Sequence, residues 1–432
     1  MRDFMCRTIA VGALATGLCV DGLAPASVVA PRPRVGVVDA RNGAIRSVPL
    51  GPNAAVVSFD PTPMHDAPEG RLFVAVQGAF DGMNGSPRGL GQVRILDARD
   101  GRLLHSSFVG YVPDSIALDT KMGRLFVANK VDHTVSILDS ATGALQRTVV
   151  VPPSPLQIAV DATAQRAIVV TGGVADNAGI SLGSGGVSVL DTRSGHVLNT
   201  LPLAETPMDL AIDQQRGRAY VLAEGLNVVA LKSGGIIDRL PLQGRGMSVA
   251  QDDKTDRVFV LTSRQPNPAL QATTILSTRE SDSGRLLARV TLPGGAGGIV
   301  VDAAARRVLV FTDDYVDGGE RVGLIDAGSG RVLHLAAPAN MLHVSALVAP
   351  VVDTRRGYAF AAVDNSSSAI VGVWTTRTGA LVRTIAAIGS NVTAMAVDER
   401  GGRLYVVSMN RNTPDSRCYL TIVSLKHLMH QG

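Results

Sequence analysis

An aspartate that returns eight times, at intervals of about 48 residues, constrains this chain more than any other feature. It stands at Asp60, Asp119, Asp161, Asp213, Asp252, Asp302, Asp353 and Asp398. The clearest copy runs from Ile116 to Val149, IALDTKMGRLFVANKVDHTVSILDSATGALQRTV. An alternating run ends on Asp119, and Arg124 then opens the apolar run LFVA. A polar stretch leads to VSILD, ending on Asp139; Gly143 closes the next turn before ALQRTV. Four short runs rich in Val, Ile and Leu, each bounded by turn formers, read as four antiparallel strands, A to D. No run reaches helical length before a breaker, and β-branched residues dominate, which argues against helix.

The turns repeat with the strands. Arginine follows the A-strand aspartate at 124, 166, 218, 257, 307 and 403; an insertion delays it to Arg71 in the first copy, and Tyr358 holds the slot in the seventh. The C–D turn recurs as Asp97…Gly101, Asp139…Gly143, Asp191…Gly195 and Asp326…Gly330, with degenerate versions ending at Gly235, Gly284 and Gly379. Here the carboxylate is expected to accept backbone N–H groups two residues on, and the glycine to supply a positive φ. One further C–D copy, Asp39…Gly43, stands alone near the N-terminus, while the last copy lacks a D strand. Chain ends that complete one unit between them indicate a closed ring, which removes exposed sheet edges. An open solenoid needs polar caps at both ends instead. The expected fold is therefore all-β, a closed β-propeller of four-stranded antiparallel blades. The repeat count gives eight blades; seven results if the weak copy at 213–242 is not independent.

The repeat fills nearly all of the 432 residues, so one domain, 27–432, is expected behind a leader at 1–26. Arg2 and Arg7 flank the start, Ile9 to Val20 is apolar, and Ala24-Pro-Ala26 forms a small-x-small cleavage site. The alternative is a retained anchor helix, but Asp21 and Pro25 interrupt the apolar run before membrane-spanning length. The expected location is periplasmic or extracellular, with no stable membrane insertion after cleavage. Of the cysteines Cys6, Cys19 and Cys418, only the last would remain, which leaves no internal disulfide. A net charge of +4 with no lysine or arginine cluster argues against nucleic acid as a partner.

In a propeller the A–B and C–D turns share one face, and the B–C and D–A loops share the other, at the mouth of the central channel. The B–C loops vary most; they are long at Gln77 to Gln92, Thr171 to Gly186, Thr262 to Thr273, Thr312 to Arg321 and Ser408 to Tyr419. Variable loops on a rigid scaffold are where binding usually resides. The ligand-binding candidates there are Asn129, Lys130, Asp132 and His133, with His343, Asn410 and Arg411. Asp313, Asp314, Asp317 and Glu320 in DDYVDGGE would supply oxygen ligands for calcium, although the spacing is not that of an EF-hand and a solvated acidic loop is the plainer reading. No other cofactor is evident. The histidines show no HxH or HxxxH spacing, and no CxxCH attaches a haem. The Gly-rich loops lack the P-loop pattern. Trp374 is the only tryptophan, so the blade-locking tryptophans of quinone-cofactor propellers are missing.

At GRLFVANKVDHTVSILDSATGALQRTV the chain resembles the YVTN-type, YncE-like propeller repeat. Phe126, Val127, Asn129, Thr134, Val135, Ser136, Asp139, Thr142 and Gly143 carry the match; Val187 to Asp191 with Gly195, Tyr220-Val221 and Leu404 to Val406 carry it in part. The resemblance implies a propeller over residues 34–425 and an exported protein. Members of that family usually count seven blades, so eight copies depart from it. Propellers host many activities. The reading preferred is a non-catalytic propeller that binds a small ligand or protein partner over the B–C/D–A face. One alternative is a propeller hydrolase or lactonase with a metal at the central channel. A distant similarity to the heavy subunit of methylamine dehydrogenase implies another, a cofactor-free subunit of a periplasmic dehydrogenase.

Overall fold

The computed structural model describes residues 37–428 except 39–44, 53, 61, 63, 65, 79–88, 174–184, 265–271, 315–318, 337–342, 346–347, 365–367 and 411–416. The leader expected at 1–26 lies outside the described residues. Eight antiparallel four-stranded blades follow one another round a ring. They occupy 54–108, 113–150, 155–202, 209–240, 245–293, 295–336 and 343–387, and the eighth joins 391–424 to 45–52. The weak copy is a full blade, with strands Asp209–Asp213, Arg218–Leu222, Leu226–Ala230 and Gly235–Leu240. This settles the count at eight.

The last blade closes as the chain ends required. Ile45–Pro52 pairs antiparallel with Arg417–Ser424, placing Ile45 opposite Val423 and Pro52 opposite Arg417. The lone N-terminal copy does something else with its first half. Because Arg417–Ser424 already fills the C position of blade 8, Val37–Val38 adds in parallel to the outer strand of blade 7, opposite Thr384 and Ile385.

Alternation along each strand builds the core. In Arg124–Asn129, Leu125 and Val127 face blade 1 while Phe126 and Ala128 face blade 3. The buried apolar side chains form eight clusters, each shared by two successive blades, including one between blades 8 and 1 that holds Leu50, Leu72, Tyr405 and Leu420. Eight blades with eight seams is the arithmetic of a closed ring. The sole tryptophan sits in the seam between blades 6 and 7, edge-on to Phe311 with ring centroids 5.0 Å apart.

The repeated polar residues lace the A–B/C–D face. Every A-strand aspartate is buried. Asp119 Oδ1, for example, accepts the N–H groups of Lys121 and Met122 at 3.1 and 3.0 Å, which closes the A–B turn. In five of the blades the arginine then reaches across the seam. Arg71 pairs with Asp60 at 2.9 Å and donates to Ser140 O of blade 2 at 2.6 Å. Arg124 donates to Thr192 O of blade 3 at 2.6 Å. Arg403 pairs with Glu69, in the insertion that delays Arg71. Tyr220 and Tyr405 also cross seams, donating to Ser281 O and Ala98 O at 2.8 and 3.0 Å; burial pushes the Tyr220 phenol up to about 12. Where Tyr358 replaces arginine, Arg356 bridges instead, donating to Glu399 O at 2.7 Å.

Asp139 Oδ1 accepts from the N–H groups of Ala141 and Thr142 at 3.0 and 2.8 Å, and Gly143 has a φ of 74°. A Cβ on Gly143 would stand 2.9 Å from Ser107 Oγ and 3.2 Å from Ile95 Cδ1, both on blade 1. Gly143→Val is therefore expected to cost at least the left-handed penalty of about 1–2 kcal/mol, read as a lower denaturation midpoint; an unchanged midpoint contradicts it. In blade 4 the positive φ belongs to Gly234, at 69°, not to Gly235, which opens the D strand.

Candidate channel-mouth site

The A strands line the central channel, and their first residues stand on the B–C/D–A face. Six of them carry a register shift near that end, at residues 55, 114, 156, 247, 297 and 393. A bulge re-aims the side chain beside it. The next position, four before the repeated aspartate, reads Val56, Ser115, Gln157, Asp209, Ser248, Gly298, Ala349 and Ala394 from blade 1 to blade 8. It is polar through blades 2 to 5 and apolar or small elsewhere.

The polar arc is hydrogen-bonded from blade to blade. Ser115 Oγ accepts the Ile158 N–H at 3.1 Å. The Gln157 side chain stands beside Asp209 in the same lining. Asp209 Oδ2 accepts the Val249 N–H at 2.8 Å and the Ser248 hydroxyl at 2.7 Å, while Oδ1 accepts the Leu210 N–H at 2.8 Å. Burial pushes the Asp209 carboxyl up from its ordinary value, and the bonds from Val249, Ser248 and Leu210 offset only part of that. A cavity of about 280 Å³ opens beside this arc. Gln157, Asp209 and Ser248 form its polar side; Met208, Met247 and Leu261 lie among its apolar walls, and Ala349 stands exposed at its edge.

The loop residues expected to bind lie elsewhere on the same face. Asn129 is fully buried, and its Nδ2 donates to Thr134 Oγ1 and Ser136 Oγ at 3.0 and 2.9 Å, which holds the B–C turn of blade 2. His133 takes a φ of 57°, and its Nδ1 accepts the Ser154 N–H at 3.1 Å, tying that turn to the loop leading into blade 3. Lys130 O also lies 3.2 Å from Nδ1. Lys130 Nζ lies 3.8 Å from the Asp114 carboxylate, whose pKa burial raises against the pull of that lysine. Asp132 is half-buried, and a Cβ on Gly110 would stand 2.2 Å from its Oδ2.

Asn410 begins the B–C loop of blade 8, its N–H donating to Arg417 O at 2.8 Å. His343 pairs through its backbone with Asp364 on blade 7. These positions stand two and three blades from the Asn129–His133 turn. Arg411, Asp317 and the side chains of His343, Asp313, Asp314 and Glu320 lie outside the described residues. The backbone around the acidic loop is tighter than the sequence suggested. Strand pairing runs on to Asp313 with Glu320 and Asp314 with Gly319, leaving only 315–318 between the strands. Among the described residues no three His, Cys, Asp or Glu side chains are grouped to hold a metal.

Gln157, Asp209 and Ser248 were not among the residues expected from the sequence. A signal was present: once the repeats are aligned on their aspartates, four consecutive copies carry a polar residue in one A-strand column that is apolar or small in the other four.

No protein-family model matches the chain, and no curated protein matches it either. Solved structures do. Sqt1 from Saccharomyces cerevisiae superposes with a TM-score of 0.63 at 12% identity, covering 87% of this chain and 98% of that one. The computationally designed Ika8 protein gives 0.58 at 14% identity, covering 86% and 96%. BamB from Moraxella catarrhalis gives 0.55 at 15% identity, covering 87% and 98%. At these identities the likeness extends to architecture alone, and by its architecture the chain is an eight-bladed β-propeller.

Proposed function

We propose that this protein is an exported, non-catalytic binding propeller that receives a small ligand, or a group projecting from a protein partner, at the channel mouth on its B–C/D–A face. The observation that carries this reading is the cavity of about 280 Å³, apolar on one side and hydrogen-bonding on the other, set in a rigid ring. Sites for small molecules combine these features: concave, mostly apolar walls with a few fixed polar groups. The Asn129–His133 turn belongs to the rim of the same face. Its buried asparagine and its histidine, bonded to the next loop, support it as a fixed border to the site. Export rests on the leader read at 1–26, and a mature chain beginning at Ser27 on N-terminal sequencing would support it.

The binding reading is tested by filling the cavity. Ala349 is exposed and lies outside the described strands, so Ala349→Trp should plug the opening and leave the melting temperature unchanged. Fragments found by ligand-observed NMR to bind the wild-type protein should lose binding to this variant. Fragments that bind both proteins equally would place the site elsewhere.

A further inference from the structure

One seam of the ring departs from the others on the A–B/C–D face. In five seams the B-strand arginine crosses to the next blade, as Arg124 does to Thr192 O and Arg218 to Ser281 O. Arg307 of blade 6 stays within its own blade. Its Nη1 donates to Arg306 O at 3.0 Å and lies 3.4 Å from Asp326 Oδ2. Arg166 of blade 3 also keeps to its own blade, but there the next C strand is followed by Leu231, fully buried in the seam. The residue in that position of blade 7 is Thr376, and a cleft of about 710 Å³ opens between blades 6 and 7. It is bounded by the A–B turns of both blades and the C–D turn of blade 7.

The lining of this cleft holds four arginines, Arg307, Arg355, Arg356 and Arg377, against one carboxylate, Asp302. Asp302 is fully buried; its Oδ2 accepts the Thr376 hydroxyl at 2.6 Å and its Oδ1 the Ala305 N–H at 2.9 Å. Asp326 and Asp353 answer two of the positive charges, lying 3.4 Å from Arg307 and 2.7 Å from Arg356. Arg355 and Arg377 are exposed, and among the described residues neither guanidinium has a hydrogen-bond or ion-pair partner. They come from different turns of blade 7, one A–B and one C–D, so the fold makes a grouping of charge that the sequence does not show.

Two guanidiniums without counterions select the chemistry of a visitor. A cation would be repelled, and a neutral sugar would leave both charges unanswered. A carboxylate brings a single charge. A phosphate monoester carries about −1.5 to −2 charge at neutral pH and three strong acceptor oxygens, enough to meet both guanidinium forks. Ala304 and Ala305, on the facing turn of blade 6, are small and leave room for the organic part of the ester.

We propose that this cleft is a second binding site, on the face opposite the channel mouth, for a small organic phosphate monoester held between Arg355 and Arg377. The site is independent of the channel-mouth cavity.

The test titrates ribose 5-phosphate, inorganic phosphate, methyl sulfate and ribose by ligand-observed NMR, in phosphate-free buffer. The proteins are the wild type, Arg355→Gln, Arg377→Gln, the double variant and Ala349→Trp, which plugs the other face. Both arginines are exposed and unpartnered, so their variants should melt as the wild type does. Ribose 5-phosphate should bind the wild type more tightly than inorganic phosphate, and ribose should not bind. Methyl sulfate, tetrahedral but singly charged, should bind about fivefold more weakly than the ester. Each single variant should weaken the ester about fivefold, the upper end for an exposed ion pair, and the double variant should abolish binding. Ala349→Trp should leave it unchanged. Methyl sulfate binding as tightly as the ester would reduce the cleft to an unselective basic patch and overturn the proposal. Inorganic phosphate binding as tightly would overturn the organic ester as its ligand. Failure of the ester to bind, or binding that survives in the double variant or is lost in Ala349→Trp, would overturn the site itself.

Discussion

A chain shortened to begin at Asn53 should lose cooperative unfolding and elute as larger species than the full-length protein, whereas one beginning at Gly43 should unfold and elute as the full-length protein does. The shorter chain lacks Ile45–Pro52, which supplies the outer strand of blade 8 and buries Ile45 and Leu50. Burial of two such side chains is worth about 1.5–3 kcal/mol each, and the lost ladder adds roughly 1 kcal/mol for each backbone hydrogen bond. The sum is comparable with the whole stability of a typical domain, about 5–15 kcal/mol. The truncation also bares Arg417–Ser424 as an open edge, with Leu420 and Cys418 uncovered beside it. An unpaired apolar edge is a template for another chain. Size-exclusion chromatography and thermal unfolding of both truncations decide the matter; a sharp transition within a few degrees for the shorter one would show that the ring does not depend on its closing strand.

The largest effect from a single side chain is expected at Arg71. Its ion pair with Asp60 is nearly inaccessible, at 4% and 3% side-chain exposure, and the same guanidinium reaches Ser140 O across the seam to blade 2. Removing one partner of a buried pair strands the other charge and costs about 3–5 kcal/mol. Arg71→Met should therefore lower the unfolding free energy by about that amount. The double variant Asp60→Asn with Arg71→Met should recover much of the loss, since no charge is then left without its partner. Chemical denaturation of the two single variants and the double variant gives the coupling directly. Additive losses would mean that the pair contributes little beyond its packing.

What could be read in advance was local and repeated. The A-strand aspartates and the C–D turn glycines act within a few residues of themselves, so their spacing carries their structure. Gly143 and Asp139 behave as the sequence suggests, and the two chain ends meet because one unit lacked a strand that the other end supplied. What depended on assembly was harder. Val37–Val38 has the look of a C strand, yet its slot was taken by Arg417–Ser424, a competition no local pattern reveals. Asn129 matches the repeat and is polar in a variable region, so it resembled a binding residue; only the fold shows that both its donors turn inward. The converse holds for Asp209. It opens a short strand in the weakest copy, and its partners Ser248 and Val249 come from the next blade.

The way the ring is sealed also decides how it yields to traction. The closing strand is antiparallel to its partner, and Ile45 lies opposite Val423, so the two chain directions leave the sheet from the same end. Tension applied through the two termini would load the ladder bonds one after another, as in a zipper, instead of sharing the load among them all. A closure that resists heat through the summed strength of its contacts is thus undone in small steps by a tug on the chain ends.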